Sequence, residues 1–188
     1  ASVLEQMSHP NIIKYTDTFI ARERLYIVME YAEAGDLWRI MYKNPDGVEV
    51  WPEEIVLGFF LQMCLAVKFV HDRQILHRDI KPANMFLTKG GILKLGDFGI
   101  ARVLERNQMA RTQVGTPFYV APEICHKLSY GKKADVWALG CVLFEMCAKE
   151  PPFNGRSVGD IQRKITGAPV PANPRLIHKY SPEMRKLV

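Results

Sequence analysis

The fold of this chain is decided by one stretch, His77-Arg78-Asp79-Ile80-Lys81-Pro82-Ala83-Asn84, which is followed shortly by Asp97-Phe98-Gly99. These residues place an acid, a base and an amide in one short segment and add a second acid after it. Asp79 has the chemistry to align a hydroxyl group and accept its proton, and Lys81 to offset negative charge beside it. Asn84 and Asp97 offer the hard oxygen ligands that Mg²⁺ prefers. This equipment suits phosphoryl transfer, in which the protein mainly positions groups and neutralises charge.

Three motifs in order resemble those of eukaryotic-type protein kinases: the His-Arg-Asp segment, the Asp-Phe-Gly segment, and Ala121-Pro122-Glu123. Ile80 stands where that family usually has Leu, which is a conservative change. Together the three motifs are far more specific than any one tripeptide. The resemblance implies an α+β fold of the protein-kinase type. Its small β-rich N-lobe is incomplete here, and a hinge joins it to a mainly α-helical C-lobe that is truncated at its C-terminal end.

The same resemblance divides the chain into three parts. Residues 1–29 correspond to a remnant of the N-lobe, residues 30–37 to the hinge, and residues 38–188 to an incomplete C-lobe. Upstream of Met29 there is no glycine, and the only lysine is Lys14. The glycine-rich phosphate loop, the strand lysine and its glutamate partner of that family are therefore not found in this sequence. Because such kinases need the Lys-Glu pair, we expect this fragment to be inactive or nearly so by itself.

Hydrophobic patterning predicts the main elements independently of the motifs. Strand-forming residues at 12–20 and 25–29 indicate a strand pair, and residues 85–87 and 92–95 flank a turn and indicate a hairpin. A long helix begins after Trp51-Pro52 and continues to Asp72, with its inward face at helical spacing. That face is predicted to comprise Ile55, Phe59, Met63, Ala66 and Val70. Residues 135–147 are apolar nearly all round and predict a buried helix, and further helices are predicted at 158–166 and after Ser181.

The resemblance also implies a nucleotide site that takes ATP. Met29 occupies the gatekeeper position, and the carbonyl group of Glu30 and the backbone of Ala32 are expected to face the adenine edge. Asp36 is expected to lie toward the ribose, and Phe86 to form the apolar floor. Without the other motifs, Met29 and Phe86 would be ordinary core residues.

By the same match, Asp79 is the catalytic base, assisted by Lys81, Asn84 and Asp97, and Thr116 bridges toward the acid and the lysine. Asn84 and Asp97 hold Mg²⁺. Structural roles are implied for His77, Phe98, Glu123 and Asp135. A buried carboxylate needs hydrogen-bond donors, and by the resemblance Asp135 would find them in the backbone of the catalytic loop, residues 77–84.

The polar segment from Ala101 to Val114 resembles an activation loop. Thr112 is a candidate phosphorylation site, and Arg78 and Arg102 are candidate partners for its phosphate through charge-assisted contacts. An unmodified threonine in a loop is the alternative at this position.

Lys81-Pro82 and Thr116-Pro117 resemble the serine/threonine branch, and the hinge and activation segments look most like the NIMA-related kinases. The implied activity is transfer of the γ-phosphate of ATP to serine or threonine hydroxyls of protein substrates. A pseudokinase or scaffold that binds partners without transfer is one alternative, and retention of all four charged and amide residues argues against it. A small-molecule kinase is another, and residues 115–123 favour a protein substrate instead.

Composition restricts the other classes. The chain has 188 residues, 48% of them hydrophobic, which is enough for a core. The net charge is +5, yet basic runs are no longer than Lys132-Lys133, so we expect no nucleic-acid partner. The apolar run at 55–67 predicts no membrane span by its length. Four cysteines without a C-x-x-C spacing favour buried thiols in a reducing compartment, hence a cytoplasmic protein, with nuclear or cytoskeletal association open.

Overall fold

The computed structural model of the chain describes residues 7–42, 51–97, 117–167, 169–170, 173 and 179–188. Within these ranges the chain forms small antiparallel sheets followed by a mainly helical region, so the fold is α+β as the sequence predicts. The elements that position the candidate site are two sheets and two long helices.

The first sheet is a hairpin of two antiparallel strands, β1 (Tyr15–Ala21) and β2 (Arg24–Met29). Its turn residues, Arg22 and Glu23, both have positive φ, at 49° and 60°. Positive φ at two successive residues is the geometry of the turns that match strand twist, although glycine or asparagine usually supplies it. The predicted strand pair is therefore confirmed, with a turn that lacks the usual sequence signal.

The second sheet has the order β3-β4-β5, with β3 at Gly35–Asp36, β4 at Met85–Leu87 and β5 at Leu93–Leu95. The β4–β5 pair is the predicted hairpin. On its other side β5 is held by residues 11–13: the Ile13 amide donates to the Leu95 carbonyl (2.9 Å), and the Leu95 amide to the Asn11 carbonyl (2.8 Å). Because both edges of β5 are bonded, the residues that follow it start from a fixed position.

The helices are α1 (Leu37–Tyr42), α2 (Glu53–Asp72), α3 (Pro122–Cys125), α4 (Lys132–Ala148), α5 (Val158–Gly167) and α6 (Pro182–Leu187). Helix α2 packs against α4 and β5. Helix α4 is buried over most of its length, which confirms the predicted buried helix. Ser181 caps α6, as predicted, since its Oγ accepts a hydrogen bond from the Met184 amide (3.1 Å).

The inward face of α2 differs from the prediction at its first turn. Met63, Ala66 and Val70 are buried as expected, but Ile55 is 47% exposed and Val56 is fully buried in its place. The buried positions 56, 63, 67 and 70 define the observed inward face. In the first turn of the helix this face begins at residue 56, one residue after the predicted position 55. The helix also extends beyond the apolar run at both ends, and its 20 residues are long and apolar enough to cross a membrane, contrary to the length argument from sequence. One such helix is weak evidence for a span, because core helices pass the same test.

The four cysteines are free thiols, as predicted. Cys141 and Cys147 are buried, and burial raises the pKa of each to about 12. Burial also raises the pKa of the partly buried Cys64 and Cys125. None of the four is therefore a thiolate nucleophile at neutral pH.

Candidate active site

The catalytic loop is anchored by Asp135, in the first turn of α4. Its fully buried carboxylate accepts hydrogen bonds from the backbone amides of His77 and Arg78 (both 3.0 Å), from the Tyr130 hydroxyl (2.6 Å), and pairs with the His71 ring (2.7 Å). Burial alone would raise the pKa of Asp135, but these partners outweigh it and hold the pKa below its ordinary value. The loop amides thus provide the donors predicted from the sequence.

His77 connects the loop to the segment that carries Asp97. Its Nδ1 accepts from the Asp79 amide (3.3 Å), so its Nε2 carries the proton and donates to the Gly96 carbonyl (3.0 Å). The side chain is buried, and burial lowers the pKa of His77, which keeps the ring neutral. A neutral ring suits this task because one nitrogen must accept while the other donates.

The Asp79 carboxylate is the centre of the loop. Its Oδ2 accepts from Lys81 Nζ (2.8 Å) and from Asn84 Nδ2 (2.9 Å), and the same Nδ2 reaches the Asp79 carbonyl (2.8 Å). The Asp79 side chain is nevertheless 44% exposed. The carboxylate is therefore oriented by a cation and an amide on one side and is accessible to solvent on the other.

Asp97 lies beside the catalytic loop because its neighbour Gly96 is hydrogen-bonded to that loop. The Gly96 amide donates to the Asn84 carbonyl (3.0 Å), so Asp97 emerges directly beside the loop with its side chain exposed. Asp97 and Arg78 have positive φ, 55° and 68°. Non-glycine residues in this region store strain, which concentrates at functional sites.

The donor set fits a magnesium ion better than a resident structural metal. The described residues contain no group of three or more His, Cys, Asp or Glu side chains that could hold a metal by themselves. Asn84 uses its amide nitrogen on Asp79, which leaves the amide oxygen as the donor for a cation, and Asp97 adds an exposed carboxylate. In proteins, Mg²⁺ is usually bound by a few protein oxygens, and phosphate and water oxygens complete its coordination shell.

The hinge, residues 30–37, begins where β2 ends and includes strand β3 of the second sheet. The Glu30 amide donates to the Lys14 carbonyl (2.8 Å), and the Glu30 carboxylate pairs with the buried Lys94 Nζ (2.8 Å), which also donates to the Pro10 carbonyl (3.0 Å). Burial would raise the pKa of Glu30, but the Lys94 ammonium holds it below its ordinary value. Glu30 therefore ties the hinge to the strand that leads to Asp97, a contact that sequence reasoning missed.

The remaining hinge residues differ in their exposure and in which of their groups already form hydrogen bonds. Met29 is half exposed and Ala32 is buried. The Ala32 carbonyl already accepts from the Gly35 amide (3.3 Å). The Asp36 carboxylate accepts from the Arg39 amide (2.9 Å) and pairs with its guanidinium (3.2 Å), so it caps α1. The predicted adenine and ribose contacts of these residues stay predictions.

Phe86 and Gly96 are in close contact beneath the hinge. A Cβ atom on Gly96 would lie 2.8 Å from the Phe86 ring and 3.1 Å from the Ile13 side chain. Glycine is therefore required here by space, and the ring of the predicted apolar floor is fixed by the residue that precedes Asp97.

Replacing Gly96 with alanine is expected to lower the free energy of unfolding by about 1–3 kcal/mol, because the added methyl group must displace Phe86 or Ile13. Thermal unfolding measures the effect. Gly140, which is inside α4 with open space around its Cβ position, is the matched control. Gly140→Ala should stabilise by about 0.5–1 kcal/mol. Equal thermal unfolding midpoints for Gly96→Ala and Gly140→Ala would contradict the close contact of Gly96 with Phe86 and Ile13.

A groove of about 750 Å³ lies beside the catalytic loop. It is bounded by Trp38 and Tyr42 of α1, by residues 118–121, and by Asp79 and Lys81 of the loop. Glu145 of α4 lines its base, and sequence reasoning missed it because a glutamate inside an apolar helix has no motif of its own. A buried polar residue in an otherwise apolar stretch was the available signal.

Some predicted residues lie outside the described part of the chain: Phe98, Arg102, Thr112 and Thr116. Arg78 lines the groove beside Asp79. Glu123 is partly buried in the first turn of α3 and forms no ion pair with another described residue.

Comparison with known proteins gives one family. A family model described as "Protein kinase domain" matches residues 1–188. The chain is 47% identical over 189 residues to serine/threonine-protein kinase Nek1 of Mus musculus, and this match covers 100% of this chain and 15% of that protein. It is 48% identical over 168 residues to Nek5 of Homo sapiens (88% of this chain, 23% of that protein). The identity to Nek2 of Homo sapiens is 42% over 195 residues, a match that covers 100% of this chain and 43% of that protein. The chain therefore spans less than half the length of these relatives.

Proposed function

The chain belongs to the protein kinase family and is similar to the Nek serine/threonine kinases, and from this membership we propose that it acts in an ATP-dependent serine/threonine protein kinase. The observation that carries the proposal is the arrangement at Asp79. One carboxylate oxygen is bonded by both Lys81 and Asn84, while the Asn84 carbonyl holds Gly96 directly before Asp97.

In this proposal Asp79 orients the serine or threonine hydroxyl of a protein substrate in line with the γ-phosphate of ATP and accepts its proton. Lys81 lies against Asp79 and places a positive charge where the transferred group becomes most negative. Thr116 would bridge toward the same two side chains. Positioning and charge neutralisation supply most of the rate, since the protein forms no covalent bond to the phosphate.

Asn84 and Asp97 are the residues that would hold Mg²⁺. When bound, the ion neutralises negative charge on the phosphate oxygens. The chain's own contribution is to keep these two oxygen donors next to Asp79, through the Asn84 side chain on one side and the Gly96 backbone on the other.

The adenine end of ATP is assigned to the backbone of Glu30 and Ala32, with Met29 as gatekeeper, Phe86 as floor and Asp36 toward the ribose. The half-exposed Met29 and the fixed ring of Phe86 support this assignment. Thr112, with Arg78 and Arg102 as partners of its phosphate, is proposed as a regulatory site.

Residues 1–188 do not include every phosphate-binding part that such kinases use. No glycine precedes Gly35, so a glycine-rich phosphate loop is not found within them. We expect the 188-residue chain alone to transfer phosphate slowly or not at all, and a longer chain that joins these residues to such a loop and its lysine to be active.

A transfer assay tests the proposal. Radiolabelled ATP and Mg²⁺ are supplied with dephosphorylated casein, with serine and tyrosine peptides, and with an aminoglycoside, using both the 188-residue chain and that longer chain. The expected result is label on serine or threonine only, from the longer chain. Label on the aminoglycoside, or ATP binding by the longer chain without transfer, would overturn the proposal in favour of a small-molecule kinase or a pseudokinase.

Ala83 gives a specificity prediction. It is exposed and lines the groove next to Lys81, where some basophilic kinases carry an acid. Ala83→Glu is expected to improve kcat/KM for arginine-containing peptides by about 3- to 10-fold relative to the same peptides with alanine, because a charged hydrogen bond is gained at an exposed site. Ala83→Gln, which has the same size without the charge, is the control. An equal gain in both variants would contradict the charge argument.

A further inference from the structure

Asp135 divides its hydrogen bonds evenly between its two oxygens. Oδ2 accepts from the His77 amide (3.0 Å) and is bonded to Nε2 of His71, in the last turn of α2 (2.7 Å). Oδ1 accepts from the Arg78 amide (3.0 Å) and from the Tyr130 hydroxyl (2.6 Å). Each oxygen therefore joins one amide of the catalytic loop to one side chain from outside the loop.

Tyr130 is the partner of Asp135 that also lines the groove. Its side chain is partly buried and bounds the groove together with Arg78 and Asp79. Its hydroxyl, in contrast, ends on a carboxylate that is fully buried. His71, the other side-chain partner, is not among the groove-lining residues that the structure describes. A single side chain thus connects the groove surface to the buried anchor of the catalytic loop.

The oxygen that Tyr130 shares holds a strained part of the loop backbone. Arg78 has a φ of 68°, a conformation that an arginine rarely adopts. Such a residue keeps this conformation only where surrounding contacts hold it, and the hydrogen bond from its amide to Oδ1 is one of these contacts. Asp79 follows directly in the chain. A shift of the Arg78 backbone would therefore redirect the Asp79 carboxylate.

The Tyr130 hydroxyl strengthens this contact. Burial would raise the pKa of Asp135, but the hydrogen bonds from His71, from Tyr130 and from the two loop amides hold it below its ordinary value. The carboxylate therefore stays ionised, and an ionised acceptor forms shorter and stronger hydrogen bonds than a neutral one. Without the phenol, Oδ1 would keep the Arg78 amide but lose the donor that fixes its position opposite that amide.

We propose that Tyr130 is a positioning residue for phosphate transfer, which fixes the Arg78 backbone through Asp135 Oδ1 and so keeps the Asp79 carboxylate directed at an acceptor in the groove. The inference rests on the proposed function for the nature of that acceptor. Tyr130 acts through Asp135 and the loop backbone, and its effect is on the orientation of Asp79 and not on the residues assigned to ATP. A purely structural tyrosine would instead stabilise the chain without preference for one amide of the loop.

Amide hydrogen exchange in the 188-residue chain tests the link to the backbone. In Tyr130→Phe, exchange of the Arg78 amide should rise about 3- to 10-fold more than exchange of the His77 amide, because Oδ1 alone loses a donor. His71→Phe removes the side-chain partner of Oδ2 and should give the opposite order. Equal rises at the two amides in both variants, or no rise at Arg78 in Tyr130→Phe, would overturn the inference.

Tyr119→Phe is the matched control. The Tyr119 side chain lines the same groove, and its hydroxyl donates to another buried carboxylate of α4, Glu145 (2.6 Å), which also accepts from the Tyr42 hydroxyl (2.7 Å). Among the described residues, Glu145 accepts no hydrogen bond from the catalytic loop. The control should therefore leave exchange at Arg78 and His77 within about 2-fold of the unmodified chain. A rise at Arg78 equal to that in the first variant would trace the effect to a general loosening of the groove and would overturn the inference.

A rate measurement separates positioning from stability. In the longer chain that joins these residues to a glycine-rich loop and its lysine, Tyr130→Phe should lower kcat for a serine peptide about 5- to 20-fold, with KM for ATP within about 2-fold. The thermal midpoint checks that the variant is folded at the assay temperature. An unchanged kcat in the folded variant would overturn the inference. A longer chain that phosphorylates no polypeptide would overturn the proposed function itself, and exchange at Arg78 and His77 then still decides whether Tyr130 holds the loop.

Discussion

Asp79→Asn is expected to reduce phosphate transfer by about 10²- to 10⁴-fold, the range that a positioned general base contributes. Asparagine keeps the shape of the side chain, and its amide oxygen still accepts from Lys81 or Asn84, so the loop should stay folded. What is lost is the group that orients the hydroxyl and takes its proton. The measurement is the single-turnover rate with bound ATP and a saturating serine peptide, in the longer chain that includes the glycine-rich loop and its lysine.

Asp17→Asn provides the control for this experiment. Asp17 is an exposed carboxylate on β1, and among the residues that the structure describes its side chain accepts from the Thr18 amide alone (2.7 Å). Its replacement should leave the rate within about 2-fold, because surface substitutions of this kind have small effects. If Asp79→Asn kept more than a tenth of the parent rate, another group would have to serve as the base.

Asp135→Ala is expected to have the largest effect on stability, about 3–5 kcal/mol lost from the free energy of unfolding. The change leaves the His77 and Arg78 amides and the Tyr130 hydroxyl without their buried acceptor, and each unsatisfied group adds a desolvation cost. Denaturant unfolding measures the loss. Hydrogen exchange at His77 and Arg78 should rise more than exchange elsewhere in the core.

The matched comparison is Asp72→Ala, at the end of α2. Asp72 forms an exposed ion pair with Lys68 (2.6 Å). An exposed pair of this kind contributes little to stability, because solvent screens the charges and the side chains lose freedom. Similar destabilisation by the two substitutions would mean that the buried carboxylate does not hold the catalytic loop.

The sequence predicted those parts of the site that are local in the chain or recur as motifs. The β4–β5 hairpin follows from two apolar runs around a glycine pair, and the burial of α4 follows from its composition. The contact between Asp135 and the loop backbone was implied by the family resemblance, and it agrees with the need of a buried carboxylate for hydrogen-bond donors.

Features that depend on distant pairs were not predictable in the same way. Glu145 meets its two tyrosines only after α1 and the turn at 117–119 reach the same face of α4. Glu30 likewise pairs with Lys94 only because two sheets meet. The positive φ of Arg78 has no sequence signal, since arginine rarely adopts this conformation, and an aspartate such as Asp97 gives only a weak one. On α2, helical spacing alone could not distinguish Ile55 from Val56 as the buried residue of the first turn.

The buried Lys94 side chain joins the two ends of the proposed nucleotide cleft. Its ammonium group is held by Glu30 at the hinge and by the Pro10 carbonyl, and its own strand runs on into Asp97. A change in the tilt between the sheets would therefore alter the spacing at the base-binding end and at the cation-binding end together. Lys94 therefore ties the base-binding end of the proposed cleft to the strand that leads to its cation-binding end.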